Sequence, residues 1–165
     1  MNPNGIRKRR LALIAPIEHE ARALGKRVYR QHPVVTPRLE GSVDLLVADD
    51  SHQTVYGALN SLDLVHWNLM KAREKKAHEL RLIFPNGRMA HAAEKLVEQL
   101  RASGKAGSLS VLCLTAQAAV ELLKNSNGTN GSSTSIGDSD SQAKEPSHRL
   151  GTGETPTARN LDKHR

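Results

Sequence analysis

Two hydroxyl side chains stand where apolar runs end: Ser51 just after "VDLLVADD", and Thr115 at the end of "SVLCLT". When an apolar run is a strand and a helix follows it, the first N–H groups of that helix can bind an anion, and a neighbouring hydroxyl can assist. Thr115 can equally cap the helix that follows, which is worth about 1 kcal/mol and requires no ligand. Ser51 and Thr115 are therefore candidate ligand-binding residues.

Acidic residues stand beside Ser51 and in a second segment that also carries a histidine. Asp49 and Asp50 precede Ser51, and each would repel a phosphate by about 1 kcal/mol in a high dielectric unless a cation lies between them. Farther along, His91 and Glu94 stand three residues apart in a segment with helical spacing. That spacing is also common for an exposed pair on a helix surface, which would have no catalytic meaning.

The elements that position these residues alternate along the chain. Short apolar runs predict four strands, and periodic apolar residues between them predict helices. The predicted strands are residues 10–15, 42–48, 80–84 and 108–115, and the predicted helices are 17–32, 51–62, 63–79, 88–104 and 116–125. Such an alternation predicts an α/β fold: a three-layer, Rossmann-like sandwich with a mainly parallel sheet.

Composition divides the chain into three parts: a basic N-terminal arm over 1–8, an α/β domain over 9–126 and a disordered tail over 127–165. The tail is rich in Gly, Ser, Asn and Asp, and such a segment cannot offset the entropy of ordering its backbone. Its acidic and basic residues balance, so the net charge of +7 belongs to the first two parts. An excess there is compatible with a small anionic or phosphorylated ligand, and it does not exclude nucleic acid.

The cysteine content and the length of the apolar runs bear on disulfides, metal binding and cellular location. Cys113 is the only cysteine, so one chain cannot form a disulfide or a Cys-based zinc site, and we expect neither a metal nor a cofactor. No apolar run reaches the length of a membrane span. These features predict a cytoplasmic protein.

The apolar runs also carry a resemblance to a known family. In order and approximate spacing, "RLALIA", "RVYRQHPVV", "DLLVADDSHQTVYGALNS", "LRLIF" and "LCLTAQAAVELLKNS" resemble the successive strands and helices of methylglyoxal synthase. The resemblance implies a homo-oligomeric lyase that converts dihydroxyacetone phosphate to methylglyoxal and phosphate. It also implies that His91 polarises the carbonyl with support from Glu94, and that Ser51 and Thr115 bind the substrate.

Two departures from that family support a different class of function. The family's Gly-Gly-Asp turn, which supplies the catalytic base, is absent, and Glu20 stands where the family has a phosphate-binding lysine. The alternative is a non-catalytic regulatory or ligand-binding domain. "VDLLVADDSH" resembles the first strand and acidic pair of receiver domains, whose phosphoacceptor aspartate has no counterpart in "IFPNG".

Overall fold

The computed structural model describes residues 3–37 and 39–128, and the side chains of 5–37 and 39–126. Apart from its first two residues, the predicted tail lies outside this part of the chain. The elements are α1 (Pro3–Ala23), β1 (Arg27–Thr36), β2 (Leu39–Ala48), β3 (Gln53–Ala58), α2 (Val65–Glu74), β4 (Glu79–Phe84), α3 (Gly87–Ala102), β5 (Ser110–Thr115) and α4 (Ala116–Gly128). A short 3-10 turn, Leu62–Leu64, precedes α2.

The second half of the chain follows the prediction. Strands β4 and β5 and helices α2, α3 and α4 each lie where an apolar run or a helical period predicted them. Helix α3 ends at Ala102 and is followed by Gly104, whose φ of 73° is left-handed, and the N–H of Lys105 donates to the carbonyl of Leu100 at 2.8 Å. This is the terminal hydrogen bond expected where glycine stops a helix.

The first segment differs from the prediction. Residues 10–15, predicted as a strand, and residues 1–8, predicted as an arm, belong instead to helix α1 from residue 3 onward. Its buried residues Ile14, Ile17 and Ala21 recur at three to four positions, so the segment buries one helical face. The apolar run "LALIA" was short enough to suit either element, and the helical period continued through it.

The helix predicted over residues 51–62 was also wrong. Residues 51–62 were expected to form a helix, but 53–58 form strand β3, in which every residue from Thr54 to Ala58 is buried. The β-branched and aromatic residues Thr54, Val55 and Tyr56 favour a strand. Residues 27–32, predicted as the end of a helix, lie in β1.

The sheet is mixed, so the prediction of a mainly parallel sheet was wrong. Its order is β1-β2-β3-β4-β5; β1, β2 and β3 pair antiparallel, and β3, β4 and β5 pair parallel. Only two residues separate β1 from β2 and four separate β2 from β3, and such short connections reverse the chain. The parallel strands are joined through α2 and α3, as crossover connections require.

Helices cover both faces of the sheet, which confirms the α/β class. One apolar cluster joins α1 and α4 to residues of β2, β3 and β4 that include Leu45 and Tyr56. The other joins α2 and α3 to residues that include Leu46 and Val55. Neighbouring residues of a strand thus enter different clusters, as alternation along a strand requires.

Candidate functional site

The two predicted hydroxyl residues lie at opposite ends of the sheet. Ser51 stands in the turn before β3, at the amino ends of the parallel strands, whereas Thr115 ends β5 beside Phe84 of β4. The Thr115 hydroxyl accepts a hydrogen bond from the Ala118 N–H at 3.3 Å, so it caps α4. The structure therefore does not bring Ser51 and Thr115 together.

The acidic pair before Ser51 shapes a turn between β2 and β3. Asp49 Oδ1 accepts hydrogen bonds from the N–H groups of His52 at 2.8 Å and Ser51 at 3.4 Å. Its pKa is lowered by these backbone hydrogen bonds and by Lys26, against an opposing effect of burial that is the largest single influence. Asp50 is exposed and lies 3.5 Å from Arg27. The cations beside Asp49 and Asp50 are thus Lys26 and Arg27 of the protein itself.

His91 and Glu94 form a surface pair on α3. Nδ1 of His91 lies 3.2 Å from Oε2 of Glu94, and the two side chains are 69% and 51% exposed. This is the geometry of a solvated helix pair. Their catalytic role stays a prediction.

A cavity of about 300 Å³ lies between α1 and the strands β1 and β2. Three cationic side chains, one carboxylate and an apolar wall surround it. Its lining residues are Ile6, Arg7, Arg10, Leu11, Ile14, Gln31, Ser42, Asp44 and Lys71. The five from α1 recur at three to four positions, so one face of this helix forms the wall.

Arg10 and Asp44 form the central pair of this cavity. Nη2 of Arg10 donates to both oxygens of Asp44 at 2.7 Å, and Nε donates to the carbonyl of Ala58 at 3.0 Å. Asp44 Oδ2 also accepts the N–H of Ala58 at 2.8 Å. The pair therefore ties α1 to the end of β3, and both side chains are less than one-third exposed.

The strand opposite Asp44 is distorted. Pairing between β1 and β2 runs through Arg30–Leu45 and His32–Val43, while Gln31, which faces the cavity, has a φ of 46°. A left-handed backbone is unfavourable for a residue with a side chain, and such strain concentrates at binding and catalytic sites.

Lys71 reaches the cavity from the opposite layer. It belongs to α2, whose neighbours Leu69 and Ala72 pack in the cluster on the other face of the sheet. The pairing of β2 with β3 stops at Leu45 and Tyr56, so the start of β2 has no neighbour on that side within the ladder. Gly41 adds room there, because a Cβ at this position would lie 3.3 Å from Cε of Lys71.

The Lys71 ammonium is buried with few partners. The residue is 7% exposed, and Nζ donates to the carbonyl of Ser42 at 2.8 Å. Nζ also lies 5.8 Å from the ring centre of Trp67. Burial lowers the pKa of Lys71, with the nearby charge of Asp44 opposing and that of Arg10 adding to the effect. Among the described residues, no carboxylate lies within 4 Å of this ammonium.

Arg10, Asp44 and Lys71 were not among the residues predicted from the sequence. A signal for Asp44 was present, because a single carboxylate inside the apolar run "SVDLLVA" must find a partner when the strand is buried. Its partner could not be identified while residues 10–15 were interpreted as a strand. Lys71 carried no comparable signal, since "MKAREKK" has the composition of a solvated helix end.

Other site types have less support in the described part of the chain. No group of three or more His, Cys, Asp or Glu residues there is arranged to bind a metal ion, and none of the helices there is long and apolar enough to cross a membrane. Comparisons with family models, with curated proteins and with solved structures found no match for this chain.

Proposed function

We propose that this chain is a non-catalytic binding domain whose ligand is a small anion, most suitably a phosphorylated molecule, held in the cavity between α1 and β2. The cations Arg7, Arg10 and Lys71 bind the anionic group, and Asp44 moderates their charge. The sequence raised the same binding alternative, but with Ser51 and Thr115 as the ligand-binding residues.

The Lys71 ammonium carries the proposal. Burial of an ammonium that has no ion-pair partner within 4 Å among the described residues is costly, and the nearby charge of Asp44 compensates it only in part. One of its three N–H groups bonds to Ser42, and a phosphate oxygen in the adjacent cavity would satisfy the others.

The cavity also limits the size and character of the ligand. Its volume of about 300 Å³ is at the lower end of the range for small-molecule sites. Ile6, Leu11 and Ile14 provide an apolar wall beside the cations. A phosphate attached to a small, partly apolar body would fit both surfaces.

The lyase reaction implied by the resemblance to methylglyoxal synthase stays a separate prediction. His91 and Glu94 lie on an exposed face of α3 and do not line this cavity. Incubation with dihydroxyacetone phosphate and measurement of methylglyoxal and free phosphate test it directly. Product that disappears in His91→Ala would support a lyase, and no product above a buffer blank would remove it.

Calorimetric titration with inorganic pyrophosphate tests the binding proposal. Lys71→Met keeps the length of the side chain and removes its charge, so we expect a loss of affinity of about 10- to 100-fold, the value of a hydrogen bond to a charged group. Lys95→Met is the matched control, since Lys95 is an exposed lysine of α3. Equal affinities in the wild type and both variants would exclude this cavity as the site.

Tryptophan fluorescence gives an independent reading of the same titration. Trp67 is the only tryptophan of the chain, and its ring lies 5.8 Å from Nζ of Lys71. An anion that engages the ammonium changes the electrostatic environment of the ring, so the emission should follow the calorimetric isotherm. A fluorescence that stays constant while heat is released would place the binding elsewhere.

A further inference from the structure

The Arg10 guanidinium already has an anion beside it. Both oxygens of Asp44 accept from Nη2, which leaves Nη1 without a hydrogen bond to the described residues. Asp44 is therefore already paired with the guanidinium that an anionic ligand would contact. Arg10 is also held by the hydrogen bond from its Nε to the carbonyl of Ala58, so Asp44 is not its only anchor.

The charges around the cavity give this arrangement a consequence. Arg7, Arg10 and Lys71 with Asp44 leave two positive charges on the lining. Without Asp44 the lining would carry three, close to any bound anion and partly shielded from water. Because the energy between charges grows with the charge of the ligand, a carboxylate here disfavours compact, highly charged anions more than singly charged ones.

We propose that Asp44 is the specificity-determining residue of the cavity: it competes with the ligand for Arg10, lowers the affinity for compact polyanions, and so favours ligands with one or two negative charges. The inference rests on the proposed binding function. It adds that the selectivity among anions comes from a carboxylate inside the site.

Asp44→Asn is the variant that isolates the charge. The amide oxygen of asparagine can still accept the N–H of Ala58, and Arg10 keeps its bond to the Ala58 carbonyl, so the geometry is retained. We expect pyrophosphate to bind about tenfold more tightly or better, and acetate to gain less, because pyrophosphate carries more charge. Glu98→Gln on α3 removes the same charge from an exposed position and should leave both affinities unchanged.

The outcomes separate this inference from the function on which it rests. Wild-type binding that is lost in Lys71→Met but is unchanged or weakened in Asp44→Asn overturns the inference and keeps the function. Binding that appears only in Asp44→Asn supports the inference and overturns the function of the wild-type cavity. An equal gain for acetate and pyrophosphate overturns the selectivity. No binding in the wild type or in Asp44→Asn overturns both.

Circular dichroism and a denaturant titration establish that Asp44→Asn is folded before its affinity is interpreted. If it does not fold, Asp44→Ser supplies a second neutral replacement, whose hydroxyl oxygen can accept a hydrogen bond. The same ordering of affinities is expected, with pyrophosphate gaining more than acetate. A weaker affinity for pyrophosphate in a folded Asp44→Ser protein contradicts the inference.

Discussion

Two acidic sites of strand β2 have different surroundings: Asp44 lies within the strand, and Asp49–Asp50 lies just beyond its end. Both oxygens of Asp44 accept from Arg10, and its side chain is 19% exposed. Asp50 is fully exposed, and its Oδ1 lies 3.5 Å from Arg27. Both sites are ion pairs, but they lie in different dielectric surroundings.

The difference shows that the setting of a carboxylate determines its effect more than its place in a motif. An exposed pair gains little because water screens it, whereas a partly buried pair is costly to break because one charge is left without a partner. The adjacent pair Asp49–Asp50 attracted attention in the sequence because it resembled a metal or phosphate loop. The structure gives it a turn-forming role and places the cavity at the single Asp44.

Removing Asp44 entirely should produce the largest effect on stability. Asp44→Ala leaves Arg10 without its partner and the Ala58 N–H without an acceptor, so we expect a loss of about 2 to 3 kcal/mol. Urea denaturation followed by circular dichroism measures it. A loss below about 0.5 kcal/mol, the usual range of surface substitutions, would show that the pair is as weak as an exposed one.

Close packing between Gly57 and Asn68 should give the second-largest effect on stability. A Cβ at Gly57, in β3, would lie 2.5 Å from Oδ1 of the buried Asn68. Gly57→Ala should therefore cost about 2 kcal/mol through displacement of that side chain. Gly87→Ala is the control, because nothing lies within 4 Å of a Cβ at Gly87. Equal denaturation midpoints for the two variants would refute the contact.

Several features of the fold could be predicted from the sequence, and the reasons differ by element. Helix α3 has a regular apolar period and a terminal glycine, so its pattern permits one interpretation. Strand β3 does not, because Thr54, Val55 and Tyr56 favour a strand while the spacing of Val55, Ala58 and Leu59 also suits a helix, and the pairing with β2 decides. The cavity depends on α1, on β2 and on a lysine from the opposite layer, and no local pattern specifies such a meeting of distant residues.

Strain at the cavity should be measurable as a smaller effect. Gln31 has a φ of 46° opposite the region of Asp44. Gln31→Gly removes the steric cost of the left-handed backbone, offset in part by the greater entropy of an unfolded glycine, so stability should rise by about 1 kcal/mol. Lys76→Gly is a matched comparison, since Lys76 has a φ of 52° just after α2 and does not line the cavity. A gain at Lys76 alone would mean that Gln31 is not strained.

The exposed carboxylate should give the smallest effect. Asp50→Asn removes a charge that water already screens, so neither the urea midpoint nor the affinity for pyrophosphate should change. A change in affinity comparable to that of Asp44→Asn would contradict the separation of the two acidic sites. It would indicate that the anion binds at the turn between β2 and β3.

The most direct test of the central claim is the pKa of Lys71, measured by NMR of its Cε and Nζ resonances with and without pyrophosphate. Burial lowers this pKa in the free protein, so the folded state releases the proton at a lower pH than the unfolded state does. Relative to Lys71→Met, stability should therefore rise with pH between the folded pKa and the ordinary value of 10.5. A bound anion favours the charged ammonium, so pyrophosphate should raise the pKa of Lys71. A Lys71 pKa that stays the same at saturating pyrophosphate would contradict the assignment of the cavity as the anion site.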